Sequence, residues 1–281
     1  MKWGAFDIEL ISDGTFKLDG GAMFGVVPKV LWSRVIDSDD RNRIRLGLNC
    51  LLIRTQDANI LIDTGCGFKY TEKQFDIYGI EHETNVVEEL ERISLEPSAI
   101  DYVINTHLHF DHCGGNTISK KGEVIPTFPN ARYLVQRREY QDACNPNERT
   151  RATYLAENWR PLEERGQLEL LDGIVVVAPG ITCIPTPGHT PGHQSIKIES
   201  EGKVLFFIAD LCPTQKHVPI AWIMGYDLFP MTTLETRKQI YAQAVHEDWL
   251  ILFEHDSQEP LGRLTQDEKG YRAEAVEWPQ S

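Results

Sequence analysis

Ten residues constrain this chain more than any others: Thr106-His107-Leu108-His109-Phe110-Asp111-His112-Cys113-Gly114-Gly115. Three imidazoles and a carboxylate fall within six positions, directly after the apolar run Tyr102-Val103-Ile104. A short apolar run bounded by turn residues reads as a buried strand, and the glycine pair reads as a turn. Any fold built on this stretch must end a strand where the backbone bends and polar groups gather. Alternation along an extended chain sets His107 and His109 on one face, so both imidazoles reach one ion. Asp111 and His112 lie past the strand end, where the bending chain aims them at a neighbouring point. The segment supplies half-shells for two metals and leaves their completion to the rest of the chain.

Candidates for that completion stand at other predicted strand ends. His189 lies in the turn Thr186-Pro187-Gly188-His189-Thr190-Pro191-Gly192-His193, after the strand Ile181 to Pro185. Asp210 ends the apolar run Val204-Leu205-Phe206-Phe207-Ile208-Ala209, and His255 follows Trp249 to Phe253 with Glu254 between. A lone histidine at a strand end is more often a hydrogen-bonded structural residue than a ligand. Three such residues beside the His107–His112 cluster reverse that reading.

Elsewhere the chain alternates strands and helices. Ala5 to Ser12 predicts an edge strand, and Cys50–Arg54 with Asn59–Asp63 predict a hairpin. Asn85 predicts a cap for a helix over Val86–Ile93, and Thr153–Glu164, punctuated by Pro161, and Leu234–Val245 predict two more. Ala131–Val135, Leu168–Leu171, Ile174–Val177 and a hairpin around Glu201-Gly202 read as further strands. After His255 only a short polar tail is expected. With no linker or repeat, the expectation is one α/β domain over residues 1–281.

The net charge of −14 leaves no basic stripe for nucleic acid, and no run reaches transmembrane length. Six scattered cysteines without CxxC pairs fit reduced thiols. Met1–Asp7 has no basic start followed by an apolar stretch, so no signal peptide and a cytoplasmic location are expected. The Gly-rich, apolar segment Asp19–Trp32 lacks a clean period. It reads either as a loop packed on the core or as an apolar wall, or homodimer contact, beside the site.

The HxHxDH pattern with His189, Asp210 and His255 resembles the metallo-β-lactamase superfamily over nearly the whole chain. Gly21-Ala22-Met23-Phe24-Gly25, Ala209 to Thr214 and Tyr226-Asp227 are similar to its N-acyl homoserine lactonase and methyl parathion hydrolase branch, and to quorum-quenching lactonases within it. The resemblance implies an αβ/βα sandwich of two mixed sheets with outer helices. It implies a first metal on His107, His109 and His189, a second on Asp111, His112 and His255, and Asp210 bridging both. The implied cofactor is two Zn2+, with Fe, Mn or Co as alternatives. Some homoserine lactonases carry a tyrosine shortly after the bridging aspartate; Leu211-Cys212-Pro213-Thr214 has none, and Tyr226 is the nearest candidate.

The chemistry explains the residue types. A metal lowers the pKa of bound water from ~15.7 to ~7, and two metals can share the hydroxide while polarising the substrate oxygen. Asp210, with Asp111 as runner-up, is the candidate for passing a proton to the leaving alkoxide. Phe24, Trp222 and Tyr226 are candidates for a substrate pocket. His193 reads as a turn hydrogen-bonder or a support for a metal-bound imidazole, His217 as part of an apolar loop, and His82 and His246 as surface residues. Cys212 reads as a buried structural thiol, and Cys113 as a support beside His112. The leading expectation is hydrolysis of an N-acyl homoserine lactone or related ester. The alternatives are an organophosphate or arylester hydrolase, and a non-catalytic metal-binding sensor of small molecules.

Overall fold

The computed structural model describes residues 1–278. Two seven-stranded mixed sheets stack face to face. The first runs in the order Lys2–Trp3, Phe6–Asp19, Arg43–Arg54, Asn59–Ile62, Tyr102–Ile104, Arg132–Gln136, Leu168–Leu171. Its first half is antiparallel, and from Asn59–Ile62 onward the strands pair in parallel. The second runs Val175–Ala178, Ile181–Pro185, Gln194–Ser200, Lys203–Phe207, Leu250–Leu252, Leu261–Asp267, Gly270–Ala275. Only its Lys203–Phe207 and Leu250–Leu252 pair is parallel.

The apolar runs explain the layers. Ile8, Leu51, Ile53, Ile62 and Ile104 of one sheet meet Ile196, Ile198, Leu205, Phe207 and Leu252 of the other in a shared core. Alternate residues of those same strands point outward and are covered by helices. Phe206 and Ile251 pack under Ile240, Tyr241 and Ala244 of the helix Pro230–His246. Leu61 and Val103 pack under Val86 and Leu90 of the helix Val86–Arg92. Strands buried on both faces read as continuous apolar runs, which is why they were visible in the sequence. Asn85 caps its helix as expected, accepting from the N–H groups of Val87 and Glu88 at 3.1 Å.

Four expectations need correction. The first strand is not confined to Ala5–Ser12 but runs from Phe6 to Asp19, through a register shift between Ser12 and Thr15. The bulge there turns Asp13 inward, where its carboxylate accepts from Gly67 N–H at 2.8 Å. Thr153–Glu164 is not one helix: Pro161 starts a new one, leaving a turn at Ala156–Asn158 and a helix at Arg160–Glu164. The chain after His255 is not a mere tail, because Leu261–Asp267 and Gly270–Ala275 form a hairpin that extends the second sheet. Its strands are half-exposed and charged, so their alternation was faint.

The fourth concerns Asp19–Trp32, which forms two short helices, Gly20–Phe24 and Lys29–Trp32. Phe24 is buried between the Trp32 ring, stacked at 5.3 Å, and the His217 imidazole, stacked at 4.3 Å. Gly20 permits this approach, since a Cβ there would lie 2.6 Å from the Trp32 ring. Phe24→Ala should therefore cost about 3–5 kcal/mol of stability. Chemical denaturation checks this; a loss below about 1 kcal/mol would contradict the packing.

Candidate metal centre

Five strand ends of the two sheets meet at one edge of the sandwich. Asp63 follows Asn59–Ile62, and the histidine-rich segment follows Tyr102–Ile104. His189 follows Ile181–Pro185, Asp210 follows Lys203–Phe207, and His255 follows Leu250–Leu252. The backbone bends sharply there: Asp63 and Ala209 adopt positive φ of 53° and 48°. For a non-glycine residue this costs roughly 1–2 kcal/mol, so the surrounding structure must enforce it. Ala209 in that conformation turns the chain so that Asp210 leaves the core facing the cluster.

The candidate ligands fall into two groups, with a third set, Asp63, His112 and Glu254, behind them. His107, His109, His189 and Asp210 each offer an atom within 4.8 Å of the others, and Asp111, His112 and His255 do the same. All seven side chains are buried. Asp210 stands between the groups, its Oδ2 at 3.0 Å from His189 Nε2 and its Oδ1 at 3.1 Å from His255 Nε2. His109 Nδ1 lies 3.0 Å from His189 Nε2, and His112 Nε2 lies 3.2 Å from His255 Nε2. The structure thus brings together every ligand candidate that the sequence nominated.

Four of the remaining ring nitrogens are anchored. His189 Nδ1 lies 2.9 Å from Asp227 Oδ1, and His255 Nδ1 donates to the Gly47 carbonyl at 2.8 Å. His112 Nδ1 faces Asp63 Oδ2 at 3.1 Å and Glu254 Oε2 at 3.0 Å. His107 Nδ1 lies 3.1 Å from Thr106 Oγ1. Fixing one ring nitrogen in this way directs the other at the shared interior. Asp63, Glu254 and the carboxylate Glu139, which braces Leu108 N–H, were missed in the sequence. The single clue was position: Asp63 and Glu254 each end an apolar run.

Protonation follows from burial and neighbours. Burial and the surrounding imidazoles push His107 and His109 well below the usual histidine range, so both are neutral donors. Burial alone would raise the Asp210 carboxyl, but the imidazoles of His189, His255 and His112 outweigh it and hold it far below the carboxylate range. His107 Nε2 is buried without a hydrogen-bond partner, and Asp210 Oδ1 has no aligned hydrogen bond beyond its 3.1 Å ion-pair contact with His255. Such groups cost about 1–3 kcal/mol each when left unmatched. Burial would lower His112, His189 and His255, but the carboxylates around them outweigh it and raise all three, so a cation binding here would displace their protons. Imidazoles and carboxylates converging in this way are the donor set of a dinuclear metal site.

A cavity of about 660 Å3 opens onto the cluster. His109, Asp111, His189, Asp210 and His255 line its polar end, while Met23, Val26, Tyr78, Phe110, Tyr226 and Leu228 line its walls. Tyr226 thus lies where the sequence placed it. Phe24 and Trp222 do not: Phe24 is buried behind the wall with Trp222 edge-on to it at 5.6 Å, because their apolar area is spent on packing the loop. His217 is structural too, bound to Thr214 Oγ1 at 2.8 Å and the Met23 carbonyl at 3.0 Å. His193 bonds across its turn to Thr186 Oγ1 at 2.9 Å. His82 is not a surface residue, since it bridges the carbonyls of Asp13 and Gly67 at 2.8 and 3.0 Å. Cys113 and Cys212 are buried in apolar clusters.

The fold and site together define a metal-dependent hydrolase scaffold. The sequence profile of the metallo-beta-lactamase superfamily matches residues 44–255, and the chain belongs to that superfamily. It is 32% identical over 229 residues to the N-acyl homoserine lactonase AiiA of Bacillus thuringiensis subsp. kurstaki, covering 76% of this chain and 82% of that one. A probable metal-dependent hydrolase from Staphylococcus aureus superposes with TM-score 0.89 at 33% identity, over 99% of this chain and 100% of the other. An N-acyl homoserine lactone hydrolase, solved with N-hexanoyl-L-homoserine at its catalytic metal centre, superposes with TM-score 0.68 at 26% identity, over 91% and 95%.

Behind the cluster, Lys69 Nζ donates to the carbonyls of Gly114 and Thr117, and burial lowers its pKa to about 8. Between that value and the unfolded value near 10.4, the unfolded chain binds the extra proton, so this residue favours folding increasingly as pH rises. Measured against Lys69→Met, the native chain should gain about 2–3 kcal/mol from pH 7.5 to 10.5. A pH-independent difference would contradict the burial of this charge.

Proposed function

We propose that this protein is a dinuclear lactonase that opens the ring of N-acyl homoserine lactones, with zinc as its metal. The observation that carries this reading is seven buried candidate ligands gathered at one point, five of which line one end of a largely apolar cavity. The curated relatives, which are N-acyl homoserine lactonases, support the substrate class. In this reading His107, His109 and His189 would hold one ion, Asp111, His112 and His255 would hold the other, and Asp210 would be shared between them. Zinc suits this mixture of imidazoles and carboxylates and brings no redox chemistry to a hydrolysis. Two such cations supply Lewis acidity toward the ester carbonyl and lower the pKa of water to ~7.

The chain's own groups do the rest. Asp210, between the two halves, takes the proton released on attack and returns it to the departing alkoxide, with Asp111 as its alternate. Burial pushes Tyr226 up to about 12, so its hydroxyl stays neutral on the cavity wall and is free to donate to a substrate oxygen. Met23, Phe110 and Leu228 accept the acyl chain away from water. Exposed apolar residues on the same segment, Val26, Val30 and Leu31, support a homodimer contact there. Six free cysteines, five of them buried, fit a reducing, cytoplasmic setting.

Ring opening releases a proton, so a pH-stat assay over several acyl lengths, with and without chelator, tests the reading. Chelator and His109→Ala should each lower kcat/KM by about three orders of magnitude, the several kcal/mol that a lost metal costs. Full turnover in chelator would contradict the metal mechanism. Faster turnover of a phosphotriester than of any lactone would contradict the substrate.

A further inference from the structure

Glu139 occupies the first turn of the helix Arg137–Cys144 and is fully buried, at 0% exposure. A carboxylate in such a place needs donors, and all three that it has come from the site. Leu108 N–H, between His107 and His109, donates to Oε1 at 3.0 Å. Thr190 Oγ1, next to His189, donates to Oε2 at 2.5 Å. Tyr154 donates its hydroxyl to Oε1 at 2.9 Å, and its ring lies 5.0 Å from that of His109. The turn carrying His189 is pressed against this helix, for a Cβ on Gly192 would lie 2.2 Å from Glu139 N. The carboxylate therefore ties together the two loops that present His107, His109 and His189. Among the described residues it has no hydrogen bond to Asp111, His112 or His255; His112 is faced instead by Asp63 and Glu254, and His255 donates to Gly47.

We propose that Glu139 is a positioning residue for one half of the metal centre, holding the His107–His109–His189 group in register while leaving the other half untouched. The inference rests on the dinuclear reading above. The chemistry demands a carboxylate there. Three donors converge on two acceptor oxygens, and an amide of the same shape offers one acceptor oxygen and turns an NH2 group toward a donor. Glu139→Gln thus keeps the volume and breaks the brace.

The test is metal binding rather than turnover. Apo protein is titrated with zinc against a chromophoric chelator, and in parallel with cobalt to read the optical spectrum of each site. The native chain should bind two ions. Glu139→Gln should bind one as the native does and the other about 10–100-fold more weakly, the range seen when such supports are lost. Its singly loaded cobalt spectrum should match that of His189→Ala and differ from that of His255→Ala. Thr190→Val and Tyr154→Phe each remove one donor and should weaken the same ion by less, which keeps the test decisive if Glu139→Gln misfolds. Two ions bound with native affinity in Glu139→Gln and Thr190→Val, or weakening of the His255 ion instead, would overturn the proposal. A native chain that binds no ion would overturn the dinuclear reading itself, a different outcome from either of these.

Discussion

The rest of this structure depends on a concentration of lone pairs in a dry place. Asp210 lies within 3.1 Å of imidazole nitrogens on both sides, and His107 Nε2 is buried with nothing to bond. Such an arrangement is expensive unless a cation completes it, because like groups crowd one another and water cannot relieve them. Every nearby element serves this crowding. Two parallel-paired strand segments in the first sheet and one parallel pair in the second end at the same edge, where loops leave the sheets with their side chains already aimed.

Rigidity comes from the layer behind the donors. Two carboxylates face His112 Nδ1, one faces His189 Nδ1, and a backbone carbonyl accepts from His255. Burial pushes the Glu254 carboxyl up to about 8, against the pull of His112. The positive φ angles at Asp63 and Ala209 belong to the same logic. Strain and buried charge are both tolerated where they orient a site, and both are opposed by the apolar core that joins the two sheets.

The donors were legible in the sequence because each ends an apolar run, and a strand buried on both faces announces itself by length and composition. The layout of layers was legible for the same reason. What stayed hidden was whatever depends on contacts between distant segments. Glu139 resembles any surface acid in a helix until Leu108 and Thr190 are seen beside it. Phe24 and Trp222 looked like pocket residues because an aromatic side chain on a loop gives no sign of the side it packs on. The hairpin from Leu261 to Ala275 was lost because its half-exposed strands, the second at the sheet edge, carry too few apolar residues to show their alternation.

The central claim is that seven side chains from separate strand ends make one centre for two metal ions. Anomalous diffraction from crystals of the metal-loaded protein, recorded on both sides of the metal's absorption edge, tests it most directly. The account predicts two peaks, one among His107, His109 and His189 and one among Asp111, His112 and His255, with Asp210 between them. A single peak, or peaks elsewhere in the molecule, would contradict it.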